Sequence, residues 1–434
     1  MKRVALGLTL VLFACRESPP QDDSKGPTVP KRPPVDPDPP AVQAPLPFRS
    51  PLSEKELPTT AANIALGNLD GEVAAAREMI AKTPSNYHGH LLLSSLLLLH
   101  GAVHGTLAEY DEALAHADTA IKLAPREADA WVGQSAVHSR FHLFDKALDD
   151  LAHAEKLGWS GRDLEQSRAS LLQAQGHLKE AGVVREKWLG QQRTIDTLRA
   201  LATVRADEGR IDEAEQLFIE AQHHYPGLSP FVVSALWLQE ATMWQNAGRP
   251  ARARELLAAA HERIPEDVAV AAHLATALAQ VGERDQAIAL LRPIVASSDD
   301  PEHAGALADL LGATPEADAL RVKAGKRYDE LVKAHPDAFA DHAARFWLAA
   351  GHAPAKAVPL AERNFTLRKT AESYGLYVEA LLAAGDKAKA CAIAGDAVKA
   401  LPLVNQLHAL AWKAYTACGD TARASEELHA TKAL

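Results

Sequence analysis

The sequence predicts an all-α fold built from stacked helix-turn-helix units, and three observations support this prediction. From about residue 52 to residue 434, no stretch alternates apolar and polar residues with the period of two that marks a strand. Apolar residues recur instead at helical spacing between short breaks. The pattern then repeats at intervals close to 34 residues, which indicates a solenoid whose units pack on their neighbours.

One repeat shows the pattern most completely. It contains large apolar residues, a glycine between two helices, small residues in the second helix and a closing proline: Trp237, Trp244, Gly248, Ala253, Leu257, Ala260 and Pro265. This spacing resembles the tetratricopeptide repeat (TPR), and the register returns 34 residues later at Leu278, Gly282, Ala287 and Leu291. The resemblance implies a TPR α-solenoid, a right-handed superhelix of helical hairpins.

About ten copies share this register. They start near residues 94, 128, 162, 195, 234, 268, 302, 337, 371 and 405. A leading helical hairpin is expected at residues 59–83, followed up to residue 93 by the start of an extended helix. The copy from residue 302 has Gly305 and Gly312 within its predicted first helix, which predicts a weak joint there.

The N-terminus has the pattern of an export signal. A basic start, Met1-Lys2-Arg3, precedes an apolar run over residues 4–14 and then Cys15. Leu12-Phe13-Ala14-Cys15 resembles the lipobox of bacterial lipoproteins, although Phe13 stands where a small residue is usual. The resemblance implies a signal peptide over residues 1–14, a lipidated Cys15 and, with Arg16, sorting to the outer membrane. A plain secretory signal is the alternative.

Residues 16–58 contain 13 of the 26 prolines in the chain. Such a density prevents regular helix or sheet. We therefore expect residues 15–58 to hold the lipidated cysteine and a disordered tether that spaces the repeats from the membrane.

Composition and motifs favour recognition over catalysis. Lys and Arg number 46 against 56 Asp and Glu, and the net charge of -10 argues against nucleic-acid binding. No nucleophile elbow, zinc-protease pair, phosphate loop or dinucleotide loop is found. We expect no enzymatic activity and no cofactor. The predicted partner is a protein or peptide, with the membrane engaged only through the lipid. The sequence does not determine the oligomeric state.

The partner is expected in the groove that the first helices line. TPR proteins reach into this groove from fixed positions of each first helix, and the resemblance transfers them to Asp196, Arg199, Thr203, Asp207, Leu238, Thr242, Gln245, Asn246, Ala272, Thr276 and Gln280. This wall lacks the Lys and Asn set that clamps an acidic C-terminus, and it favours a helix or extended peptide with apolar anchors. The convex surface and the tether remain alternative sites.

Histidines concentrate in the first repeats, where 8 of 19 fall between His88 and His153. The pairs His100 with His104 and His138 with His142 have the i, i+4 spacing of metal ligands on one helix face. His104 and His138 also occupy equivalent repeat positions, and this favours core packing. A transition-metal site and a pH-sensitive contact are the alternatives, so a metal- or small-ligand-binding protein is the second functional hypothesis.

Two cysteines besides Cys15 are placed to meet. In the repeat frame Cys391 opens one second helix and Cys418 closes the next first helix. An exported protein could join them in a disulfide. Two buried free thiols are the alternative, because cysteine is also a common small core residue.

Overall fold

The computed structural model describes residues 51–53 and 55–433. The predicted signal peptide, Cys15 and residues 16–50 of the predicted tether lie outside these residues. The described part contains twenty-one α-helices and no strand: α1 Ala62–Lys82, α2 Tyr87–His104, α3 Ala108–Leu123, α4 Ala128–Arg140, α5 Phe144–Lys156, α6 Arg162–Gln175, α7 Leu178–Gln191, α8 Ile195–Asp207, α9 Ile211–His223, α10 Pro230–Asn246, α11 Pro250–Arg263, α12 Val268–Gln280, α13 Arg284–Ser297, α14 Pro301–Leu311, α15 Pro315–Ala334, α16 Pro336–Leu348, α17 Pro354–Leu367, α18 Ala371–Ala384, α19 Lys387–Ala400, α20 Asn405–Cys418 and α21 Thr421–Ala433. None of these helices combines the length and apolar character required to cross a bilayer.

From α2 onward the helices pair into ten hairpins, α2 with α3 through α20 with α21. Eight first helices begin within one residue of the starts read from the sequence. The other two begin earlier, α2 at Tyr87 and α10 at Pro230. Asn86 caps α2 by accepting hydrogen bonds from His88 N and Gly89 N, and Pro230 occupies a first-turn position where its missing amide costs nothing.

The leading hairpin predicted for residues 59–83 is wrong. That segment is one continuous helix, α1, which packs on α2. Its two glycines, Gly67 and Gly71, do not break it. A helical glycine costs about 1 kcal/mol, but Leu69 and Val73 are buried against α2, and this burial outweighs the cost.

In the core, small residues lie where two helices approach closely and large apolar residues fill the space beside them. Ala253 and Ala260 are fully buried where α10 and α11 approach closely, while Trp237 and Leu257 fill the space beside them. Gly248 follows α10 with φ +75°, a left-handed conformation that glycine adopts without strain. Each hairpin therefore buries its apolar residues inside itself and against its neighbours.

Two glycines, Gly305 and Gly312, led to the prediction of a weak joint in the copy from residue 302. Only Gly305 lies inside a helix. Gly312 ends α14 with φ +67°, so the helix is short, and α15 is correspondingly long. Gly305 is buried, and a Cβ there would lie 3.0 Å from Cδ2 of Phe346. This glycine permits α14 to pack closely on α16.

The disordered tether was predicted to extend too far, to residue 58. Leu57 is buried in the core that α10 and α11 form. The guanidinium of Arg263 donates to the carbonyl oxygen of Leu57 at 2.7 Å and to Thr59 Oγ1 at 3.0 Å. Leu52 and Leu57 lie among the prolines, and burying their apolar side chains is favourable. The segment therefore packs on the core of α10 and α11 before α1 begins.

Candidate binding surfaces

Successive turns of the superhelix touch along a line that we call the seam. On one side are the turns that follow first helices, at residues 105–108, 142, 175–176 and 209. On the other side are residues 298–299, 337, 369 and 403, which precede or begin first helices of the next superhelical turn. Partners lie about 190 to 195 residues apart in sequence, so the seam closes the superhelix on itself.

The first half of the seam, residues 105–142 against 298–342, is the histidine half. Leu107 N donates to Asp299 Oδ1 at 2.6 Å. His142 Nδ1 lies 3.2 Å from the carbonyl oxygen of Asp337, and His335 Nε2 lies 2.7 Å from Asp111 Oδ1. Side chains therefore carry most of the contact between turns here.

The second half, residues 175–209 against 369–403, is the glycine half. Lys369 N donates to the carbonyl oxygen of Gln175 at 2.9 Å. Gly176 has φ +93°, and a Cβ there would lie 2.5 Å from the carbonyl oxygen of Lys369. Gly209 has φ +82°, and a Cβ would lie 2.4 Å from that of Leu403. The two superhelical turns therefore contact each other through their backbones, and only glycine fits at positions 176 and 209.

A cavity of about 80 Å³ lies behind the histidine half. Five histidines and a carboxylate are among its lining residues: His142, His273, His303, His335, His342 and Glu302. These come from α12, α14, α16, the junction between α15 and α16, and the turn after α4, and so from both superhelical turns. Of these residues only His142 was a candidate from the sequence, because residues distant in sequence come together only when the superhelix closes.

The cavity holds histidines in opposite charge states. Burial lowers the pKa of His273 to about 4. Burial, together with the charge of Arg368, lowers the pKa of His142 to about 3. Burial alone would also lower the pKa of His342, but Asp341 and a 3.0 Å hydrogen bond to Glu302 raise it to about 9. At neutral pH, His342 is therefore an imidazolium while His142 and His273 are neutral.

The eleven predicted groove residues do not form one exposed wall. Leu238, Gln245 and Ala272 are buried, which corrects the expectation that Leu238 is exposed. The half-buried members are Arg199, Thr203, Thr242, Asn246, Thr276 and Gln280, and the exposed ones are Asp196 and Asp207. Leu238 is buried because the long helix α10 packs on its neighbours around its whole circumference, as its twelve buried residues show.

Part of the predicted set does converge. Asp207 accepts a hydrogen bond from Gln173 at 2.7 Å, and Asn246 Nδ2 donates to Glu372 Oε1 at 3.4 Å. Asp207 is accessible to solvent but surrounded by protein atoms, and this desolvation raises its pKa to about 7, against the hydrogen bond from Gln173 and with help from the charge of Glu372. Asn246 Oδ1 and Gln245 Nε2 are buried without a hydrogen-bond partner. We call Gln173, Asp207, Asn246 and Glu372 the inner cluster, whereas the Gln245 side chain faces His273, with Oε1 3.4 Å from Nδ1.

The four candidate metal-ligating histidines separate into different environments. His138 is buried and its Nδ1 lies 2.6 Å from Asp150 Oδ2, as a core histidine would. His142 lies beyond the end of α4 with φ +55°, so the helical i, i+4 relation predicted with His138 does not exist. His100 and His104 do share one face of α2, with ring centroids 4.3 Å apart. Burial, then the charge of His100, lowers the pKa of His104.

Cys391 and Cys418 form a disulfide in the structure, with 6.7 Å between their Cα atoms. Of the two alternatives left open by the sequence, the bonded one is present. The bond links α19 to the end of α20, so it encloses the turn that contains Leu403 of the glycine half.

Comparisons with known proteins found one family model that matches part of the chain and several solved structures of low similarity. A family model described as tetratricopeptide repeat matches residues 246–310. No curated protein matches the sequence. A tetratricopeptide repeat protein from Parabacteroides merdae is 14% identical with a TM-score of 0.41, over 57% of this chain and 94% of that one. YrrB, described as a TPR protein with an unusual peptide-binding site, is 19% identical with a TM-score of 0.26, over 45% and 95%.

A chain of the Naa15/Naa10 complex bound to HypK-THB is 17% identical, with a TM-score of 0.30. That match covers 86% of this chain, which spans only 62% of the chain it matches. The ten stacked hairpins make the described part of the chain an all-α solenoid, and its residues 246–310 match the tetratricopeptide repeat family model.

Proposed function

We propose that the chain is a lipid-anchored scaffold of the bacterial envelope that binds a protein or peptide partner at the inner cluster. Cys15 would carry the lipid and hold the protein at the outer membrane, and the proline-rich segment would space the solenoid from it. The chemistry is recognition without catalysis. The repeats bury their apolar residues in packing, so binding falls to the polar groups that the stack leaves on its inner face.

The observation that carries this proposal is the unmet polar capacity of the inner cluster. Asn246 Oδ1 has no hydrogen-bond partner, and desolvation raises the pKa of Asp207 to about 7. A peptide backbone offers both a donor and an acceptor, and a basic side chain would neutralise Asp207. The burial of Leu238 removes the apolar anchor site, so an extended basic segment fits better than an apolar helix.

Partner capture from native membranes tests the proposal with two substituted forms of the full chain. The inner form carries Asp207→Arg and Asn246→Ala. The control carries Glu255→Arg and Glu262→Arg on exposed positions of α11. We expect the wild type and the control to crosslink the same partner and the inner form to lose it, with all three melting alike. Capture that survives in the inner form but disappears when residues 16–50 are deleted would place binding on the tether instead.

A further inference from the structure

Three potential metal ligands face one another where α1 packs on α2. His100 Nε2 lies 3.1 Å from Asp70 Oδ1, and His104 Nε2 lies 3.8 Å from the same oxygen. One ligand atom from each residue lies within 4.8 Å of the other two. Within residues 51–53 and 55–433, no other group of three histidine, cysteine or carboxylate side chains is this close.

The surroundings orient the two imidazoles as ligands. His100 Nδ1 lies 2.7 Å from Glu109 Oε2 on α3, so its N–H can donate to that carboxylate while Nε2 faces Asp70. This carboxylate–imidazole arrangement is the one that fixes the ring orientation of metal-bound histidines. His104 Nε2 is shielded from solvent and has no hydrogen-bond partner. A metal ion would supply the missing interaction.

The spacing suits a small four-coordinate ion. With bonds of about 2.0–2.1 Å, neighbouring ligand atoms of a tetrahedral zinc site lie roughly 3.3 Å apart. The two distances to Asp70 Oδ1, 3.1 and 3.8 Å, lie on either side of that value. Two imidazoles and one carboxylate suit Zn²⁺, whereas Ca²⁺ and Mg²⁺ prefer oxygen ligands alone. The Asp70 side chain is 59% exposed, which leaves an entry path and a fourth position for water.

We propose that Asp70, His100 and His104 bind one Zn²⁺ ion, with Glu109 as the positioning residue for His100. The ion would link α1 to the first hairpin. α1 has no hairpin partner of its own, and it lies between the docked segment around Leu57 and the ten repeats. A metal link therefore fastens the N-terminal end of the stack, a role separate from partner binding at the inner cluster.

Zinc titration of the full chain, stripped with chelator, tests the proposal. Calorimetry and elemental analysis after dialysis should give one Zn²⁺ per chain. Co²⁺ in its place should give the intense visible absorption of a four-coordinate site. Glu109→Gln should weaken zinc binding about 10–100-fold, as loss of an orienting carboxylate does. Asp70→Asn and His104→Gln should each abolish stoichiometric binding, with circular dichroism confirming that each variant is folded.

His116→Gln is the matched control, because His116 belongs to another close histidine pair, its Nδ1 lying 2.8 Å from His90 Nδ1. This variant should bind zinc as the wild type does. The proposal is overturned if the wild-type chain takes up no stoichiometric zinc, or if His116→Gln loses the ion while His104→Gln keeps it. In that case the three side chains are only a hydrogen-bonded contact between helices.

Discussion

The two halves of the seam join the same superhelical turns by different chemistry. In the glycine half, Gly176 and Gly209 let backbone touch backbone, and a 2.9 Å amide bond from Lys369 closes the contact. In the histidine half, side chains such as His142 and His335 span the gap, and a cavity remains behind them. Both halves occupy equivalent places in a regular repeat. The residues at each place therefore determine whether the superhelical turns contact each other through backbone atoms or through titratable side chains.

This difference predicts unequal responses. Contacts made by backbone tolerate changes of pH but no added side-chain volume. Contacts made by buried histidines tolerate small changes of volume but depend on pH. Three substitutions probe the two halves, and the first two have a control of matched chemistry elsewhere in the chain.

The largest effect is expected at the junction of the halves, where Arg368 Nη2 donates to Asp341 Oδ2 at 2.6 Å. Both residues are buried, so Asp341→Asn leaves the guanidinium without its counter-charge. Loss of one partner from a buried pair costs about 3–5 kcal/mol. Denaturant unfolding at pH 7 measures the loss.

Asp337→Asn is the control for that substitution. Asp337 also lies on α16 and also contacts an arginine at 2.6 Å, but its partner Arg363 is half exposed. Exposed pairs contribute about 0–1 kcal/mol. Equal losses for the two variants would show that Asp341 is not the buried junction that the structure describes.

The second effect concerns volume in the glycine half. Gly176 and Gly385 both cap first helices with φ near +90°, but a Cβ at Gly385 meets nothing within 4 Å. Gly385→Ala should cost about 1–2 kcal/mol from backbone strain alone. Gly176→Ala should cost about 1–3 kcal/mol more, because its Cβ must displace the Lys369 backbone. If both variants unfold at the same denaturant concentration, the turns do not touch at Gly176.

The third and smallest effect is the pH dependence that His273 gives the histidine half. Its pKa is about 4 when folded and near 6.5 when unfolded, so its contribution to stability is complete above pH 6.5 and is lost as the pH falls toward 4. His273→Gln should therefore remove about 1–2 kcal/mol of the stability change between pH 7 and pH 5. Glu302 and His303 face this ring and remain in the variant.

Comparing wild type and variant at both pH values isolates the His273 contribution, because Asp267 and Glu240 titrate in the opposite sense in both proteins. Burial raises the pKa values of these two carboxyls to about 7 and 8, so their contributions favour the folded state at low pH. A variant whose pH dependence parallels that of the wild type would contradict the assignment to His273.

The sequence predicted the local structure well and the contacts between turns poorly. Gly248, Trp237 and Ala253 repeat at fixed spacing because each acts within one hairpin or on the next, and a period of 34 residues reveals them. Gly176 lies at the same repeat position as Gly248, but nothing in the repeat pattern indicates that it meets Lys369. Their contact depends on how small rotations between hairpins add up over more than five repeats, which no single repeat specifies.

The candidate site shows the same limit. Of the predicted groove positions, Asp207 and Asn246 lie in the inner cluster, whereas Leu238, which was expected to be exposed, is buried by the neighbouring helices. His100 and His104 were identified by spacing along one helix, but Asp70 was not, because it lies on the helix whose length was mispredicted. A ligand that a second helix contributes can be identified only when the packing of the two helices is known.

Amide hydrogen exchange at Lys369 tests most directly whether the superhelix closes on itself. This amide precedes α18. Its acceptor is the carbonyl oxygen of Gln175, which belongs to the preceding superhelical turn and is distant in sequence. The closed seam predicts exchange on the order of a hundredfold slower than in an unstructured peptide, and faster exchange in Gly176→Ala. Exchange of Lys369 at the unprotected rate, while the amides within α18 stay protected, would show that the turns do not meet.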